Sequence, residues 1–199
     1  MVIFATLVCA IILGTQVACS PPPPDAQSPL LYCPTELGTT WVYLLDGKDV
    51  TIAITDSSTK GDTTTITLKR KEDDGEWTDW QRMVVSPSGV SVSGIGPFTH
   101  DPPIEWVRLP SKPGDKWKVE TCFRKPRQTD QELKGHLTVV GIETIETPAG
   151  KYETIRVRGR GRMLLGLWSE EKWFAPSVGV VKALSHGHVL ELKSFSKGN

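Results

Sequence analysis

The sequence has no net charge and no long helical pattern. Its 199 residues hold 23 Lys and Arg against 23 Asp and Glu. Because neutralising phosphates requires a basic surface, this balance argues against nucleic acid as a partner. No window keeps a helical period for more than about 11 residues, so no substantial helix is expected.

Motifs for catalysis and for cofactors are also missing. Residues 89–93 fall one glycine short of a nucleophile elbow, and residues 159–161 lack the third glycine of a dinucleotide-binding loop. No Cys-x-x-Cys pair occurs. We therefore predict a non-catalytic protein that has no cofactor and no metal. A hydrolase that uses His100 and Asp101 as an acid–base couple is a remote alternative.

The chain is instead rich in the residues that form β-strands. Thr, Val, Ile and Trp are plentiful, and Gly and Pro separate short alternating runs such as residues 48–56 and 63–71. Asp46-Gly47 is typical of a hairpin turn. An interior glycine, Gly135 or Gly141, is expected to bend the long strand 133–146.

The spacing of these runs predicts an all-β fold. It is a single strongly curved antiparallel meander, a half-barrel or an open barrel, without a substantial helix. About 11 twisted strands cannot stay flat and must curl, split or close. Residues 94–103 are predicted to be a loop. Four tryptophans lie in apolar strand patterns and are expected in the core: Trp41, Trp106, Trp117 and Trp173. We expect Trp77 or Trp80 at the surface.

The N-terminus has the pattern of an export signal. Residues 2–14 are almost unbroken apolar sequence, followed by Val17-Ala18-Cys19-Ser20 and four prolines. The apolar run is shorter than the roughly 20 residues of a membrane-spanning helix. An apolar run, small residues and a cysteine are typical of a bacterial lipoprotein signal, with Cys19 lipidated. The alternative is an ordinary secretory signal cut near Ala18.

This pattern divides the chain into three parts. Residues 1–18 are the signal peptide, residues 19–31 the lipidated cysteine and its proline-rich tether, and residues 32–199 a single β domain. Proline-rich segments are extended and semi-rigid, which suits holding a domain away from a membrane. We predict a cell-envelope location, anchored by lipid at the outer membrane or at the periplasmic face of a membrane. Otherwise the protein is secreted.

The β domain contains two cysteines, Cys33 and Cys122. An exported compartment permits a disulfide between them. Two separate buried thiols are the alternative, because sequence spacing does not establish the Cα distance that a disulfide needs.

Three segments resemble a family of uncharacterised bacterial exported lipoproteins. They are Leu-Gly-Thr-Thr-Trp-Val-Tyr at 37–43, Thr-Pro-Ala-Gly-Lys-Tyr-Glu-Thr at 147–154 and Lys-Trp-Phe-Ala-Pro-Ser-Val-Gly-Val-Val-Lys at 172–182. The family's patterns are Gly-x-x-Trp, Pro-Ala-Gly-x-Tyr-Glu and Trp-Phe-Ala-Pro-x-x-Gly-x-Val-Lys, in this order. Its architecture is similar to that of the lipoprotein carriers LolA and LolB. The resemblance implies a curved sheet whose hollow face takes up apolar cargo.

Two polar groups have a functional and a structural interpretation. His186 and His188 project the same way on a strand and could bind a metal, but an exposed hairpin tip is favoured. An arginine ladder could receive phosphate head groups or carboxylates. A solvated face with Glu171 close to Arg160 is favoured instead. The ladder consists of Arg156, Arg158, Arg160 and Arg162.

The sequence therefore predicts a non-catalytic envelope lipoprotein that binds an apolar ligand or a protein partner through its curved sheet. The alternative is a structural or assembly subunit of an envelope complex with no small ligand. Apolar residues at period two are expected to line the concave face and contact an apolar ligand. They are Val50, Ile52, Ile54, Ile66, Leu68, Ile155, Val157, Val180, Leu190 and Leu192.

Lipidation at Cys19 can be tested directly. The protein expressed in its host with labelled palmitate should carry the label, and Cys19→Ala should lose it, because the thiol is the attachment point. Fluorography of the purified protein measures the label. Unlabelled wild-type protein found only in the soluble fraction would contradict lipidation.

Overall fold

The computed structural model describes residues 30–127, 129–164 and 166–198. All regular secondary structure among these residues is β-strand, and none of them belongs to a helix long and apolar enough to cross a membrane. The predicted signal peptide, Cys19 and most of the tether lie outside the described residues.

Twelve strands follow one another along the described chain. They are β1 (Thr40–Leu45), β2 (Lys48–Lys60), β3 (Thr63–Lys71), β4 (Trp77–Ser86), β5 (Gly89–Ile95), β6 (Phe98–Arg108), β7 (Lys116–Arg124), β8 (Gln131–Thr147), β9 (Gly150–Met163), β10 (Gly166–Ala175), β11 (Gly179–Ser185) and β12 (His188–Ser196).

These strands form one closed antiparallel barrel. Each strand pairs with the next along the chain, and β1 pairs with both β2 and β12 to close the sheet. The predicted all-β antiparallel meander is therefore confirmed, and its curvature extends to full closure. Because the twelve strands find all their neighbours within residues 40–196, the barrel closes without a strand from another part of the described chain.

Tight turns join most of the strands and set the two ends of the barrel. In the β1–β2 turn Asp46 and Gly47 have φ of 49° and 85°, and in the β11–β12 turn His186 and Gly187 have 50° and 85°. Positive φ at both central residues is the geometry of the type I′ hairpin turn. In an antiparallel meander alternate connections share an end. We call the end with these two turns the upper end and the opposite one the lower end.

The predicted loop at residues 94–103 is wrong. Only Gly96 and Pro97 separate β5 from β6, and the remaining residues lie in strands. The two adjacent prolines are accommodated where the pairing of β5 with β6 is interrupted. Val92 pairs with Ile104 but Gly94 pairs with Thr99, so residues 100–103 bulge out of that ladder. Proline has no N–H to donate, and a bulge does not need one.

The long β8–β9 hairpin bends at Gly141, one of the two predicted positions. The pairing register of β8 against β9 shifts between Val139 and Gly141. Beyond the bend, the tip of the hairpin reaches β12, where Ala149 N donates to the Leu192 carbonyl at 3.1 Å. Gly135 has a different role. A Cβ there would lie 2.4 Å from the Arg160 carbonyl, so the two backbones approach too closely for a side chain.

The barrel has one weak seam, between β6 and β7. Their ladder holds three pairs, ending at Asp101 with Cys122. Further down, two side chains of β7 replace the missing backbone bonds. The Trp117 indole donates to the Glu105 carbonyl at 2.8 Å, and the Thr121 hydroxyl donates to the Pro102 carbonyl at 2.6 Å. Both donors are buried, so they satisfy carbonyls that would otherwise lack a partner in the seam.

An aromatic cluster fills one side of the interior. Trp106 packs edge-on against Trp168 with ring centroids 5.8 Å apart, and against Phe174 at 6.4 Å. Trp168 covers Gly159 so closely that a Cβ there would lie 2.4 Å from the ring. All four tryptophans predicted to be core are buried, whereas Trp77 is 40% exposed. Trp168 is a buried tryptophan that the sequence patterns missed.

Trp117→Phe tests whether the side chains across the seam hold the barrel closed. The variant keeps an aromatic ring but leaves the Glu105 carbonyl without its donor, which should cost about 1–3 kcal/mol of unfolding free energy. Urea unfolding measures the loss. The matched control, Trp77→Phe, alters an exposed indole and should change stability by less than ~0.5 kcal/mol. Equal losses in both variants would contradict the role of Trp117.

Candidate functional site

A cavity of ≈ 260 Å³ lies inside the barrel, on the side of β1. At the upper end its wall includes Leu45, Ile95 and His188, of which Ile95 and His188 are exposed, so the cavity reaches solvent there. At the other extreme it reaches Cys33 and Gly179. From Trp41 to Leu45 along β1 the cavity wall spans four residue steps, or roughly 13 Å. The cavity is therefore elongated along the strands.

The wall of the cavity beside β1 is apolar because its aromatic polar atoms are already bonded elsewhere. The Trp41 indole donates to the Val178 carbonyl at 2.8 Å, and the Tyr43 hydroxyl donates to the Val180 carbonyl at 2.7 Å. Both residues line the cavity and are buried. Their ring faces are left to contact an occupant, and burial raises the pKa of the Tyr43 hydroxyl, which stays neutral.

The residues predicted to contact an apolar ligand divide into two groups of five. One group lines the cavity: Val50, Ile52, Leu68, Val180 and Leu190. The other group packs in the core at 3% exposure or less, away from the cavity wall: Ile54, Ile66, Ile155, Val157 and Leu192. Period-two alternation identified the inward face of the strands, but it does not distinguish packed from unfilled parts of the interior.

Two oppositely charged side chains of β10 also line the cavity. On β10 the inward positions are Trp168, Glu170, Lys172 and Phe174. The Lys172 Nζ lies 3.3 Å from the Glu170 carboxylate and 3.8 Å from the centroid of the Trp106 ring. Glu170 also accepts a hydrogen bond from the Ser185 hydroxyl at 3.1 Å. We call Glu170 and Lys172 the interior pair. Their side chains are only 19% and 13% exposed.

The interior pair was not predicted from the sequence. The run Trp168 to Phe174 contains three charged residues in succession, which is typical of a solvated strand. The alternation of side chains along the strand could have identified these two residues as interior. Glu170 and Lys172 share a strand face with the apolar Trp168 and Phe174. Among cavity residues, Tyr43, Met83 and Ala183 were also missed. Tyr43 and Met83 lie on β1 and β4, from which no ligand-binding residue was predicted.

His100 is buried beside this site rather than exposed in a loop. Its ring packs edge-on against Phe123 at 4.6 Å, and its Nδ1 lies 3.2 Å from the Val92 carbonyl. Its Nε2 is the one buried side-chain nitrogen or oxygen, among the residues described, without a hydrogen-bond partner. Burial lowers the pKa of His100, and the charge of Lys172 lowers it further while Glu170 opposes the shift.

The predicted His100–Asp101 couple is therefore not formed. Successive residues of a strand face opposite sides of the sheet. The imidazole points inward at 3% exposure, whereas the Asp101 carboxylate lies at the surface, 2.7 Å from Arg124. This geometry takes away the residues on which the remote hydrolase alternative depended.

The favoured interpretation of His186 and His188 is confirmed. Both are exposed: His186 lies in the β11–β12 turn and His188 begins β12. The Nδ1 of His186 bonds with the Ser185 hydroxyl, and the Nδ1 of His188 bonds with Asp46. In the described parts of the chain no three His, Cys, Asp or Glu residues cluster in a way that could hold a metal ion.

The arginine ladder is partly paired. Arg156 and Arg158 both bond to Glu171, with 2.6 Å between Arg156 and the carboxylate. Burial acts to raise the pKa of Glu171, but these hydrogen bonds and charges lower it overall. Glu171 was predicted to lie close to Arg160, and this prediction is wrong. In the β9–β10 ladder Glu171 stands opposite Arg158, and Ser169 stands opposite Arg160.

The structure has two free thiols in place of the predicted Cys33–Cys122 disulfide. Cys33 lies beside Gly179 at the start of β11, with its sulfur 3.7 Å from a Cβ built there. Cys122 belongs to β7, between β6 and β8. The two cysteines thus sit against different strands of the barrel. Burial raises the pKa of the Cys33 thiol to about 12, so it remains protonated.

Comparisons with known proteins identify the fold. No protein-family model matches the sequence, and no curated protein is similar to it in sequence. Two solved structures are similar, each with a TM-score of 0.58. One is a candidate lipoprotein from Parabacteroides distasonis, 13% identical, with 85% of this chain and 100% of that chain covered. The other is a candidate exported protein with a YmcC-like fold from Bacteroides fragilis, 14% identical, covering 84% and 100%. At this identity the likeness establishes the fold.

The buried His100 should make stability depend on pH. Its folded-state pKa lies below the ordinary value of 6.5, so the unfolded chain binds the proton more readily. Stability due to neutral His100 is therefore present above pH 6.5 and is lost as the pH falls through the folded pKa. His100→Gln should flatten the decline of Tm between about pH 7 and 5, the range of histidine titration. Superimposable profiles for variant and wild type would contradict this assignment.

Proposed function

We propose that this protein is a non-catalytic, exported lipoprotein of the cell envelope whose barrel holds an apolar ligand. The observation that carries the proposal is the elongated cavity beside β1. Most of its wall is aromatic or aliphatic, including Trp41, Tyr43 and Met83. A buried apolar hollow with a few polar groups is the usual form of a small-molecule binding site.

The size of the cavity limits the ligand. Its volume of ≈ 260 Å³ is close to the lower end of the ~300–1,000 Å³ typical of ligand sites. Its length along β1 exceeds the width of one side chain. A single alkyl or acyl chain of moderate length matches this elongated shape better than a multi-chain lipid.

Two independent observations support the envelope location. Val17-Ala18-Cys19-Ser20 follows an apolar run and precedes a proline tether, which is the lipoprotein signal pattern. The fold is shared with two proteins whose names describe a lipoprotein and an exported protein. The proposed anchor is a lipid on Cys19 and the proposed location is the outer membrane or the periplasmic face of a membrane.

The seam favours a second candidate function, that of a structural subunit in an envelope complex with no small ligand. Below Asp101 and Cys122, β6 and β7 no longer pair with one another. An extended peptide can add to strands whose backbone groups are free. Trp117 and Thr121 already bridge the seam, however, so a partner strand would have to displace them. The cavity needs no such rearrangement.

Binding of the neutral fluorophore N-phenyl-1-naphthylamine to residues 30–199 tests the proposal. Fluorescence should rise and saturate as the probe enters the cavity. Ala183→Phe places a ring at a buried cavity position and should weaken probe binding by at least about tenfold, because an occupied cavity cannot hold the probe.

Ala53→Phe is the matched control. Ala53 lies on β2 between the buried Ile52 and Ile54 and faces outward, so the same change there should leave probe binding intact. Circular dichroism should show both variants folded. Absence of saturable binding to the wild type would contradict the ligand proposal and favour the structural subunit.

A further inference from the structure

The interior pair is an unusual feature in a cavity with an apolar wall. Glu170 and Lys172 both line the cavity, and their side chains are more than four-fifths buried. Charged groups are rarely buried unless they are paired and hydrogen-bonded. Here both conditions hold, because the two groups contact each other and Glu170 also accepts from Ser185.

The pair retains hydrogen-bonding capacity toward the cavity. An ammonium has three N–H donors. The Lys172 Nζ lies 3.3 Å from the Glu170 carboxylate and 3.8 Å from the centroid of the Trp106 ring, and these two groups cover only part of the ammonium. The Glu170 carboxylate, with two oxygens, contacts Lys172 as an ion pair, accepts from Ser185 and has lone pairs to spare. A ligand group that both donates and accepts a hydrogen bond could therefore bind here.

The net charge around the pair selects the kind of ligand. Glu170 and Lys172 cancel one another, and the lowered pKa of His100 keeps that imidazole neutral near pH 7. His188 also lines the cavity, but it lies at the exposed rim and pairs with Asp46. A carboxylate entering the cavity would thus bring an uncompensated charge into a largely apolar space, which is costly.

We propose that the cavity selects neutral amphiphiles, with an alkyl chain along β1 and an uncharged hydroxyl or ester group bonded to Glu170 and Lys172. The corresponding fatty-acid anions are excluded by charge. This inference rests on the proposed ligand-binding function and adds to it the class of head group. A neutral head group exchanges hydrogen bonds with the pair without separating its two charges.

Competition between two matched ligands tests the selection. Decanoate and 1-decanol have chains of equal length and differ in head-group charge at pH 7. Each is titrated against N-phenyl-1-naphthylamine bound to residues 30–199. With wild type, 1-decanol should displace the probe at concentrations at least about tenfold lower than decanoate, since an unpaired buried charge is costly.

Glu170→Gln should reverse this preference. The variant keeps the shape and an acceptor for Ser185, but it leaves the Lys172 charge without its carboxylate. Decanoate can then replace that carboxylate, and its affinity should rise by about tenfold or more, as expected for a close charge pair. The double variant Glu170→Gln/Lys172→Gln restores neutrality and should prefer 1-decanol again.

A matched control removes the same charge from the outer face. Lys182 and Glu191 pair at 2.7 Å between β11 and β12, outside the cavity wall, so Glu191→Gln should leave both affinities unchanged. Equal displacement by the two ligands, or an unchanged decanoate affinity in Glu170→Gln, would overturn the head-group inference while ligand binding stood. Failure of the probe to bind wild type would overturn both proposals.

Discussion

The structure depends on the pairing of β1 with both β2 and β12. Without that closure the first and last strands would be edges with unpaired backbone groups, open to association with other chains. Closure satisfies these groups and also creates an interior that is surrounded by the sheet. The seam between β6 and β7 shows how strict this requirement is. Where the ladder fails, Trp117 and Thr121 supply the missing donors.

A closed interior must then be filled, and this barrel fills it unevenly. Trp106, Trp168 and Phe174 pack together on one side, and Gly159 makes room for the Trp168 ring. Beside β1 the large side chains stand at the wall and leave a hollow. The interior pair lies where these two parts meet, since Lys172 both lines the hollow and covers Trp106. The hollow is therefore bounded on one side by the interior pair and the aromatic cluster behind it.

Period-two patterns and turn residues were enough to predict the meander, the hairpin turns and most of the inward face. The residues that line the cavity could not be predicted from the sequence, for a physical reason. A β-bulge moves later side chains relative to their neighbours, and many of the strand pairs here contain one, including β10 with β11 at Trp173 and Phe174. Glu170 and Lys172 look solvated in the sequence because they share their segment with the outward Glu171. Whether Cys33 and Cys122 form a disulfide likewise depends on the strand order around the barrel, which sequence spacing does not give.

The energetics of the interior pair indicate that it is more than a packing element. Replacing a buried ion pair by apolar side chains of similar volume is often neutral or stabilising, because desolvation of two charges offsets their attraction. Trp168 and Phe174 on the same face show that this strand can present apolar side chains to the interior. Glu170 and Lys172 therefore add little to the stability of a barrel that closes through its backbone. What they do provide is hydrogen-bonding capacity with zero net charge at the wall of the hollow.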